Sequence, residues 1–323
     1  MKALLLIGGL GTRLRPITET VPKQLIPIAG KPILYHTLDL LPRDVEEVVL
    51  STGYKAEVIA SYVRDHPTGL PIRTVPESTP LGSGGAMRFA GGGMSDPFFL
   101  LNTDVVAEAD LPAMLRAHNR HGGLGTMALA EVEETQWYGV AELEGERIAR
   151  FVEKPPPGEA PSHWINAGLA VWRSAVLERI PPNRPLSFEQ EIVPKILDEG
   201  LYGFPLRGYW EDAGTPDRVL HAQRLLFDGG RAHRPGLPPG AEGSSLVCCA
   251  EDVRATGTHF GDYVTVEPGV ILGTGARISD SVIMAGAQVG NGAVVTHCIL
   301  GPRSAVEPGR TVRGQALGAA ARV

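Results

Sequence analysis

The sequence predicts an α/β protein in which a doubly wound domain precedes a short parallel β-helix, and three observations support this prediction. Short apolar runs alternate with helical periodicity up to residue 132. A Gly-, Pro- and Arg-rich segment, residues 229–245, follows the last helical pattern. Beyond it, apolar residues recur at every sixth position, which is typical of a parallel β-helix. We therefore expect domains at residues 1–228 and 246–323, joined by a linker.

The first domain begins with a buried strand, and strands then alternate with helices. The apolar spacing predicts strand Ala3–Ile7, helix Lys31–Leu41, strand Val45–Ser51, helix Lys55–His66, strand Ile72–Val75, strand Phe98–Asp104, helix Asp110–His121 and strand Thr126–Val132. This alternation predicts parallel pairing, with ligands bound beyond the carboxyl ends of the strands.

Two later helices are predicted from their capping residues. Ser187 and Gln190 form a capping box for a helix through Gly200. Glu189 and Glu191 are expected on its solvated face, and the alternative is that they face a bound sugar. Thr215 caps a second helix that runs through Phe227, with Pro216 at its first position.

The C-terminal domain is predicted from nine positions spaced by six residues. Eight of the nine are apolar, Gln288 being the exception: Val264, Val270, Ala276, Val282, Gln288, Val294, Leu300, Val306 and Val312. A hexapeptide repeat forms three short strands per coil and places its apolar residues inside the coil. No coil can bury its apolar face alone, so the coils depend on each other. The pattern accounts for about three coils.

Composition and charge exclude several classes of function. The 323 residues are 43% hydrophobic, enough for a full core, and a net charge of −6 without a basic block argues against a nucleic-acid partner. No apolar run has the length of a membrane helix or of a signal-peptide core. The three cysteines form neither a disulfide framework nor a metal-binding spacing. We therefore expect a cytoplasmic protein with no membrane partner.

The segment LLLIGGLGTRLRPITETVPK, at Leu4–Lys23, carries the first chemical signal. Its glycines let backbone N–H groups approach an anion, and Arg13, Arg15 and Lys23 supply positive charge for phosphates. Neither the Walker pattern nor a clean dinucleotide fingerprint is present. The alternative is an ordinary Gly-rich turn with surface arginines. The candidate nucleotide-binding residues are Leu6, Gly8, Gly9, Gly11, Thr12 and Arg13.

An aspartate at the end of the clearest strand predicts a metal site. Four apolar residues from Phe98 lead into Asn102, Thr103 and Asp104. A carboxylate at a strand's carboxyl end, beside a triphosphate site, suits Mg²⁺, because Mg²⁺ prefers one or two carboxylates with phosphate oxygens and waters. The alternative is an aspartate that caps the following loop.

Motifs along nearly the whole chain resemble those of the sugar-nucleotide pyrophosphorylases, the nucleotidyltransferases that join an NTP to a sugar 1-phosphate. They are GGLGTRLRP with PKQL, PLGSGGA, LNTD, YGV, FVEKP, NAG and GYWEDAGTPD, in the order of the family. The resemblance implies a Rossmann-like nucleotidyltransferase domain, a C-terminal left-handed parallel β-helix and Mg²⁺ as cofactor. Because this β-helix commonly mediates oligomerisation in the family, the resemblance also implies a homo-oligomer.

The resemblance implies a role for individual residues as well. The catalytic residues match Arg13, Lys23 and Asp104. The two metal ligands match Asp104 and Asp212, with Glu211 as the alternative to Asp212. The base-recognition loop matches Glu77, Pro80, Gly82 and Ser83, although Gly84 stands where the family tends to have Ala. The sugar-phosphate site matches Asn102, Gly139, Glu153, Lys154, Asn166 and Gly168.

Glu77 favours guanine as the base. Relatives that use uracil or thymine commonly have Gln at the matching position, where an amide pairs with the N–H and the carbonyl of a pyrimidine. A carboxylate only accepts, which suits the two adjacent donors of guanine. The alternative is a solvated Glu77, with the base recognised by backbone groups.

Within the family, the resemblance is greatest to the mannose-1-phosphate guanylyltransferases, which implies GTP and mannose 1-phosphate as substrates. One alternative is the same chemistry with glucose 1-phosphate, or another sugar 1-phosphate, and UTP or dTTP. A second is a non-catalytic regulatory subunit that binds the sugar nucleotide as a sensor. A third, an acyltransferase activity of the β-helix, has only His259 and His297 as candidate bases.

Overall fold

A computed structural model describes all residues from 1 to 323, and the chain divides into two compact units. The first unit contains Met1–Gly9 and Thr37–Trp210, and the second contains Leu10–His36 and Glu211–Val323. The segment that follows the first strand therefore belongs with the C-terminal part of the chain. The linker at 229–245 stays a prediction, and Glu242–Gly243 inside it form a strand.

The first unit is built on a nine-stranded mixed sheet with an apolar core. β1 (Lys2–Ile7) lies between two parallel neighbours, as expected for a short apolar run that is buried on both faces. In spatial order the strands are β5 (Ile72–Pro76), β4 (Glu47–Thr52), β1, β6 (Phe98–Asn102), β11 (Trp164–Trp172), β8 (Gly125–Glu131), β12 (Leu201–Pro205), β10 (Arg147–Glu153) and β9 (Gly139–Glu144).

The α/β class is confirmed, but continuous parallel pairing is limited to one half of this sheet. β5, β4, β1 and β6 are parallel. β11 is antiparallel to both β6 and β8, and β9 is antiparallel to β10. The β9–β10 connection consists of Gly145 and Glu146 alone, and so short a loop can join only antiparallel strands.

The helices are α1 (Ile33–Leu38), α2 (Ala56–Asp65), α3 (Gly82–Ala90), α4 (Leu111–His121), α5 (Phe188–Glu191) and α6 (Pro216–Asp228). Five of the six helices lie where helices were predicted, and α3, in the base-recognition loop, was not predicted. The predicted cap of α4 is confirmed, since the Asp110 carboxylate accepts from Ala113 N at 2.8 Å. Two short strands, β7 (Val105–Ala107) and β13 (Trp210–Asp212), complete this part of the chain. No helix combines the length and the apolar character needed to span a membrane.

The helix predicted from Ser187 to Gly200 is wrong beyond its first turn. Ser187 caps α5 as predicted and accepts from Gln190 N at 3.2 Å. Pro194 then lacks the N–H that a continuing helix requires. Two 3₁₀ turns, Val193–Lys195 and Leu197–Glu199, follow in place of the helix.

The second unit contains a parallel β-helix, together with α6 and a hairpin of β2 (Pro27–Ile28) and β3 (Lys31–Pro32). Its first sheet consists of β14 (Glu242–Gly243), β16 (His259–Phe260), β19 (Arg277–Ser279), β22 (Val294–Thr296) and β25 (Thr311–Arg313). Its second consists of β15 (Val247–Cys249), β17 (Val264–Val266), β20 (Ser281–Ile283), β23 (Ile299–Leu300) and β26 (Ala316–Leu317). Its third consists of β18 (Ile271–Leu272), β21 (Gln288–Val289) and β24 (Ala305–Val306). The five strands in two of these sheets make the β-helix longer than the hexapeptide pattern indicated.

The coil of this β-helix is shorter than three hexapeptides. Val247 pairs with Val264, and Val264 pairs with Ser281, so these coils advance by 17 residues. The apolar frame therefore shifts by one residue after such a coil. Gln288 is exposed and Val294 half-buried, whereas the preceding residues, Ala287 and Ala293, are buried. The strict six-residue frame is wrong at these two positions.

Candidate functional site

The predicted nucleotide site begins where the parallel strands end. In the register of the sheet, Leu6 of β1 lies beside Ser51 of β4 and Asn102 of β6. Thr103 Oγ1 donates to the Leu6 carbonyl at 2.9 Å and fixes the end of β6 against β1. The segments that follow these strands therefore start at one edge of the sheet, where doubly wound folds bind ligands.

Glu77 shapes the base-recognition loop and keeps acceptor capacity for a ligand. Its Oε1 accepts from Ser51 Oγ at 3.0 Å, and its Oε2 accepts from Leu81 N at 3.1 Å. A carboxylate has about four acceptor positions, so both oxygens can accept further hydrogen bonds. The half-buried Glu77 is thus fixed in place with acceptors suited to two neighbouring donors. Pro80 and Gly82 are exposed on the same loop.

Glu189 connects this loop to α5, a contact that the sequence did not predict. Ser83 Oγ donates to Glu189 Oε2 at 2.6 Å, and Phe188 N donates to Ser83 Oγ at 2.9 Å. The expectation that Glu189 lies on a solvated helix face is therefore wrong. Ser83 is 106 residues away along the chain, and no local spacing connects the two residues.

Asn102, Asn166 and Gly168 form one patch of the first unit. Gly168 has a φ of +76°, and a Cβ there would lie 2.9 Å from Asn102 Nδ2, so this approach requires glycine. Gly168 N donates to Asn166 Oδ1 at 3.0 Å, where the pairing of β11 with β8 shifts register. The irregular strand thus places two amide side chains together. Asp104 follows β6 directly and is half-buried.

Glu153 and Lys154 lie at the end of β10. Glu153 is opposite Gly139 of β9, and its Oε1 lies 3.4 Å from Lys154 Nζ. Burial raises the pKa of Glu153 above its usual value, the charge of Glu189 raises it further, and Lys154 opposes both effects. The Glu153 side chain is only 13% exposed, which suits hydrogen bonds to a sugar, whereas Lys154 is 57% exposed and can reach a phosphate.

Three cations surround the carboxylate of Asp212 in the second unit, and one of them is Arg218, whose Nη1 lies 3.4 Å from Asp212 Oδ2. The phosphate loop (Leu10–Ile26) carries Arg13 and Lys23, and each places a nitrogen 3.8 Å from an oxygen of Asp212. A Cβ at Gly214 would lie 2.6 Å from Arg13 Nη2, so a larger residue there would displace the guanidinium. Lys23 is only 10% exposed and Arg13 is 59% exposed. Lys23 is therefore fixed in place, while Arg13 can extend toward a ligand.

The glycines before this cluster differ in their surroundings. Gly8 and Gly9 follow β1 in the first unit and are exposed. Gly11 is packed within the phosphate loop, since its carbonyl accepts from Thr18 Oγ1 at 2.7 Å. Thr12 begins the 3₁₀ turn Thr12–Leu14, which presents Arg13.

Asp212 and Glu211 both have partners in the second unit. Arg13, Lys23 and Arg218 each place a nitrogen within 3.8 Å of an Asp212 oxygen. Both Glu211 oxygens are engaged, one by His221 and the other by Asp212 N at 3.0 Å. No group of three or more His, Cys, Asp and Glu side chains forms a preassembled metal site in the chain. Mg²⁺ needs only one or two carboxylates when phosphate oxygens complete its shell. Asp212 of the second unit and the half-buried Asp104 of the first unit are each a carboxylate of the kind that such an ion binds.

Two family models together match most of the chain. Residues 2–228 match the model described as Nucleotidyl transferase. Residues 249–323 match the model described as GMPPB C-terminal domain.

Curated relatives are similar over almost the full chain. "Probable mannose-1-phosphate guanylyltransferase 1" of Oryza sativa subsp. japonica is 37% identical over 318 residues, which are 95% of this chain and 87% of the relative. "Mannose-1-phosphate guanylyltransferase catalytic subunit beta" of Danio rerio is 38% identical over 333 residues, with the same two coverages.

Solved structures resemble the first part of the chain. HddC from Yersinia pseudotuberculosis, complexed with GMP-PN, has a TM-score of 0.60 and 28% identity over 70% of this chain and 99% of that chain. A putative glucose-1-phosphate thymidylyltransferase from Bacillus anthracis, in complex with a sucrose, has a TM-score of 0.63 and 23% identity over 73% of this chain and 98% of that chain. The second likeness shows the fold alone.

Proposed function

The chain belongs to the nucleotidyl transferase family, and we propose that it transfers a guanylyl group from GTP to mannose 1-phosphate. The products are GDP-mannose and pyrophosphate. Relatives named mannose-1-phosphate guanylyltransferase support this substrate pair, because the similarity extends over 95% of the chain and includes the β-helix.

The convergence of Arg13 and Lys23 on Asp212 carries the proposal. Two cations 3.8 Å from one carboxylate form a local field that attracts a triphosphate and its metal ion together. The Arg13 guanidinium can bind two phosphate oxygens at once. The nearly buried Lys23 neutralises charge that develops on the leaving pyrophosphate.

The reaction is an in-line displacement at the α-phosphorus of GTP. An oxygen of the sugar phosphate attacks, the bond to the oxygen that bridges the α- and β-phosphates breaks, and pyrophosphate leaves with that electron pair. The attacking phosphate is anionic near neutral pH, so no general base is required. Lys154 holds this phosphate, while Glu153 and Asn166 bind sugar hydroxyls. Catalysis then consists mainly of positioning and charge neutralisation.

Asp104 and Asp212 would hold Mg²⁺ together with phosphate oxygens, and the bound ion would neutralise charge on the triphosphate. The carboxylate of Asp212 has a second role. Its charge keeps Arg13 and Lys23 close to the site before a nucleotide binds.

Glu77 supports guanine over a pyrimidine. Its carboxylate is fixed by Ser51 and Leu81 and can accept from the ring N–H and the exocyclic amine of guanine. The presence of GMP-PN in the related HddC structure also supports a guanine nucleotide.

Pyrophosphate release from a panel of NTPs and sugar 1-phosphates tests the proposal. For GTP with mannose 1-phosphate, kcat/KM should exceed that for UTP or dTTP with glucose 1-phosphate by at least about 100-fold, because a pyrimidine leaves buried polar groups unpaired. Faster turnover with UTP or dTTP would assign the chain to that substrate pair. Binding of GDP-mannose without pyrophosphate release from any pair would identify a sensor.

A further inference from the structure

The β-helix of this chain contacts the phosphate loop directly, and we propose that it positions this loop for binding of the nucleotide. The inference rests on the proposed function, because the loop carries Arg13 and Lys23. Two contacts within the second unit support it. One is made by Gln223 of α6, and the other by Gly318, which follows the last strand of the β-helix.

Gln223 is fully buried, and its amide makes four hydrogen bonds. Its Oε1 accepts from Ala29 N at 3.2 Å and from Thr265 Oγ1 at 2.6 Å. Its Nε2 donates to the carbonyls of Tyr263 at 2.7 Å and Ser281 at 3.4 Å. Ala29 is in the turn between β2 and β3, and β2 connects it to the phosphate loop, whereas the other three partners belong to two coils of the β-helix.

Gln223 therefore fixes the turn that follows β2 to two coils of the β-helix. Ala29 has a φ of +46°, a conformation that residues with a side chain rarely adopt, so the turn needs support from outside itself. Movement of the turn would leave the N–H of the fully buried Ala29 without its acceptor, which is unfavourable. Gln223 thus holds the turn, and with it the chain that leads to Lys23, against the β-helix.

Gly318 makes the second contact, near the middle of the phosphate loop. A Cβ at Gly318 would lie 3.1 Å from Pro16 Cβ and 3.4 Å from Pro16 Cγ. These distances leave no space for a larger side chain. Pro16 lies between Arg13 and Lys23 in the loop, so the last coil limits how far this part of the loop can move toward the β-helix.

Helix α6 is fixed to the β-helix as well. Three pairs of polar side chains connect the helix to successive coils: Arg224–Asp280, Asp217–His297 and Asp228–Tyr263. Because α6 begins shortly after Asp212, the carboxylate and the two cations of the phosphate loop share one support. Because three pairs hold the helix, the loss of one pair leaves α6 in place, and Arg13 and Lys23 stay 3.8 Å from Asp212.

Gly318→Leu tests the contact with Pro16. The larger side chain displaces the loop, and we expect the KM for GTP to rise at least about tenfold, since a displacement of about 1 Å can reduce activity about 100-fold. The KM for mannose 1-phosphate should stay within about twofold. Thr311→Leu is the control, because Thr311 is exposed on another sheet of the same coil, and it should leave both values unchanged.

Gln223→Met tests the buried amide, and Arg224→Met is its matched control on the same helix. Gln223→Met keeps the volume and removes the four hydrogen bonds, so it should raise the KM for GTP and lower kcat. Arg224→Met breaks the pair with Asp280 and leaves the contacts of the loop in place. It should lower the thermal midpoint without changing the KM for GTP.

Calorimetric titration of GTP with Mg²⁺ provides a readout that does not depend on turnover. The Kd should rise in Gly318→Leu and Gln223→Met, and the two controls should bind as the wild type does. The inference would be overturned if Gly318→Leu and Gln223→Met both fold and show the GTP binding and kinetics of the wild type. It would also be overturned if Arg224→Met lost as much affinity for GTP as these two variants. If Gly318→Leu does not fold, Gly318→Ala requires a shift of only a few tenths of an ångström and replaces it. A wild type that binds no GTP would instead overturn the proposed function.

Discussion

At the scale of single residues, the surroundings of Glu153 control how the sugar side responds to pH. Burial and the charge of Glu189 raise the pKa of this carboxyl, and the neighbouring Lys154 lowers it. Only the ionised carboxylate accepts from two sugar hydroxyls. Productive binding of the sugar phosphate should therefore increase as the pH rises through this pKa.

Glu189→Gln should shift this dependence to lower pH. The substitution removes a negative charge that disfavours ionisation of Glu153, while the amide oxygen can still accept from Ser83 Oγ. The measurement is the pH profile of kcat/KM for mannose 1-phosphate, in which kcat/KM should reach its plateau at lower pH. Glu159→Gln, which removes an exposed carboxylate, is the control. The substrate titrates identically in both assays, so any difference between the two profiles comes from the enzyme. Identical pH profiles of wild type and Glu189→Gln would contradict the prediction.

The roles of residues that lie within a sequence motif could be predicted, and the roles of residues outside any motif could not. The structure brings together Arg13, Lys23 and Asp212, which the motifs singled out although they lie far apart in sequence. Glu189 was placed on the wrong face and Gln223 was not singled out, because the partners of both residues lie many residues away. The sequence around a single carboxylate or amide in a helix does not show whether that side chain is buried or exposed.

At the scale of elements, α4 packs a neutral histidine against β8. His118 is fully buried, and its Nδ1 lies 3.1 Å from Thr126 Oγ1. Burial lowers the pKa of His118 to about 4, and the charge of Arg173 contributes to the shift. Between that value and the ordinary histidine pKa of about 6.5, the unfolded chain binds a proton that the folded chain excludes.

The stability of the first unit should therefore fall as the pH decreases from about 6.5 toward 4. His118→Gln keeps a partner for Thr126 and removes the titrating group. The unfolding free energy of the wild type, relative to that of the variant, should therefore change by up to about 3 kcal/mol between these two pH values. Urea unfolding at several pH values measures it. His66→Gln, at an exposed histidine, should follow the wild type. A constant difference between wild type and His118→Gln at all pH values would disprove this explanation.

The first residues of helices were predicted well from capping residues. The last residues were predicted less well from apolar spacing. The caps at Asp110 and Ser187 are present, whereas the helix after Ser187 stops early because Pro194 cannot donate a backbone hydrogen bond. In the β-helix, a spacing of six predicted the architecture. The 17-residue coil could not be inferred from that spacing, because apolar residues also stand at 287 and 293, one position before the six-residue frame.

At the scale of the whole molecule, each unit carries a different part of the predicted chemistry. The first unit carries the residues assigned to the base and the sugar, including Glu77 and Glu153. The second carries Arg13, Lys23 and Asp212 on the same support as the β-helix. A role for the β-helix in nucleotide binding does not exclude homo-oligomerisation through it, which stays a prediction that sedimentation would test.

Pyrophosphate release from GTP and mannose 1-phosphate, with Mg²⁺ added or chelated, tests the central claim most directly. The wild type should release pyrophosphate only with the metal ion, and Asp104→Ala and Asp212→Ala should each lose at least about 100-fold in kcat, the scale of one preorganised electrostatic partner. Asp198→Ala, at a fully exposed aspartate, should retain wild-type turnover. Full activity of Asp104→Ala or Asp212→Ala, or metal-independent turnover by the wild type, would contradict the claim that these two carboxylates hold an ion required for the transfer.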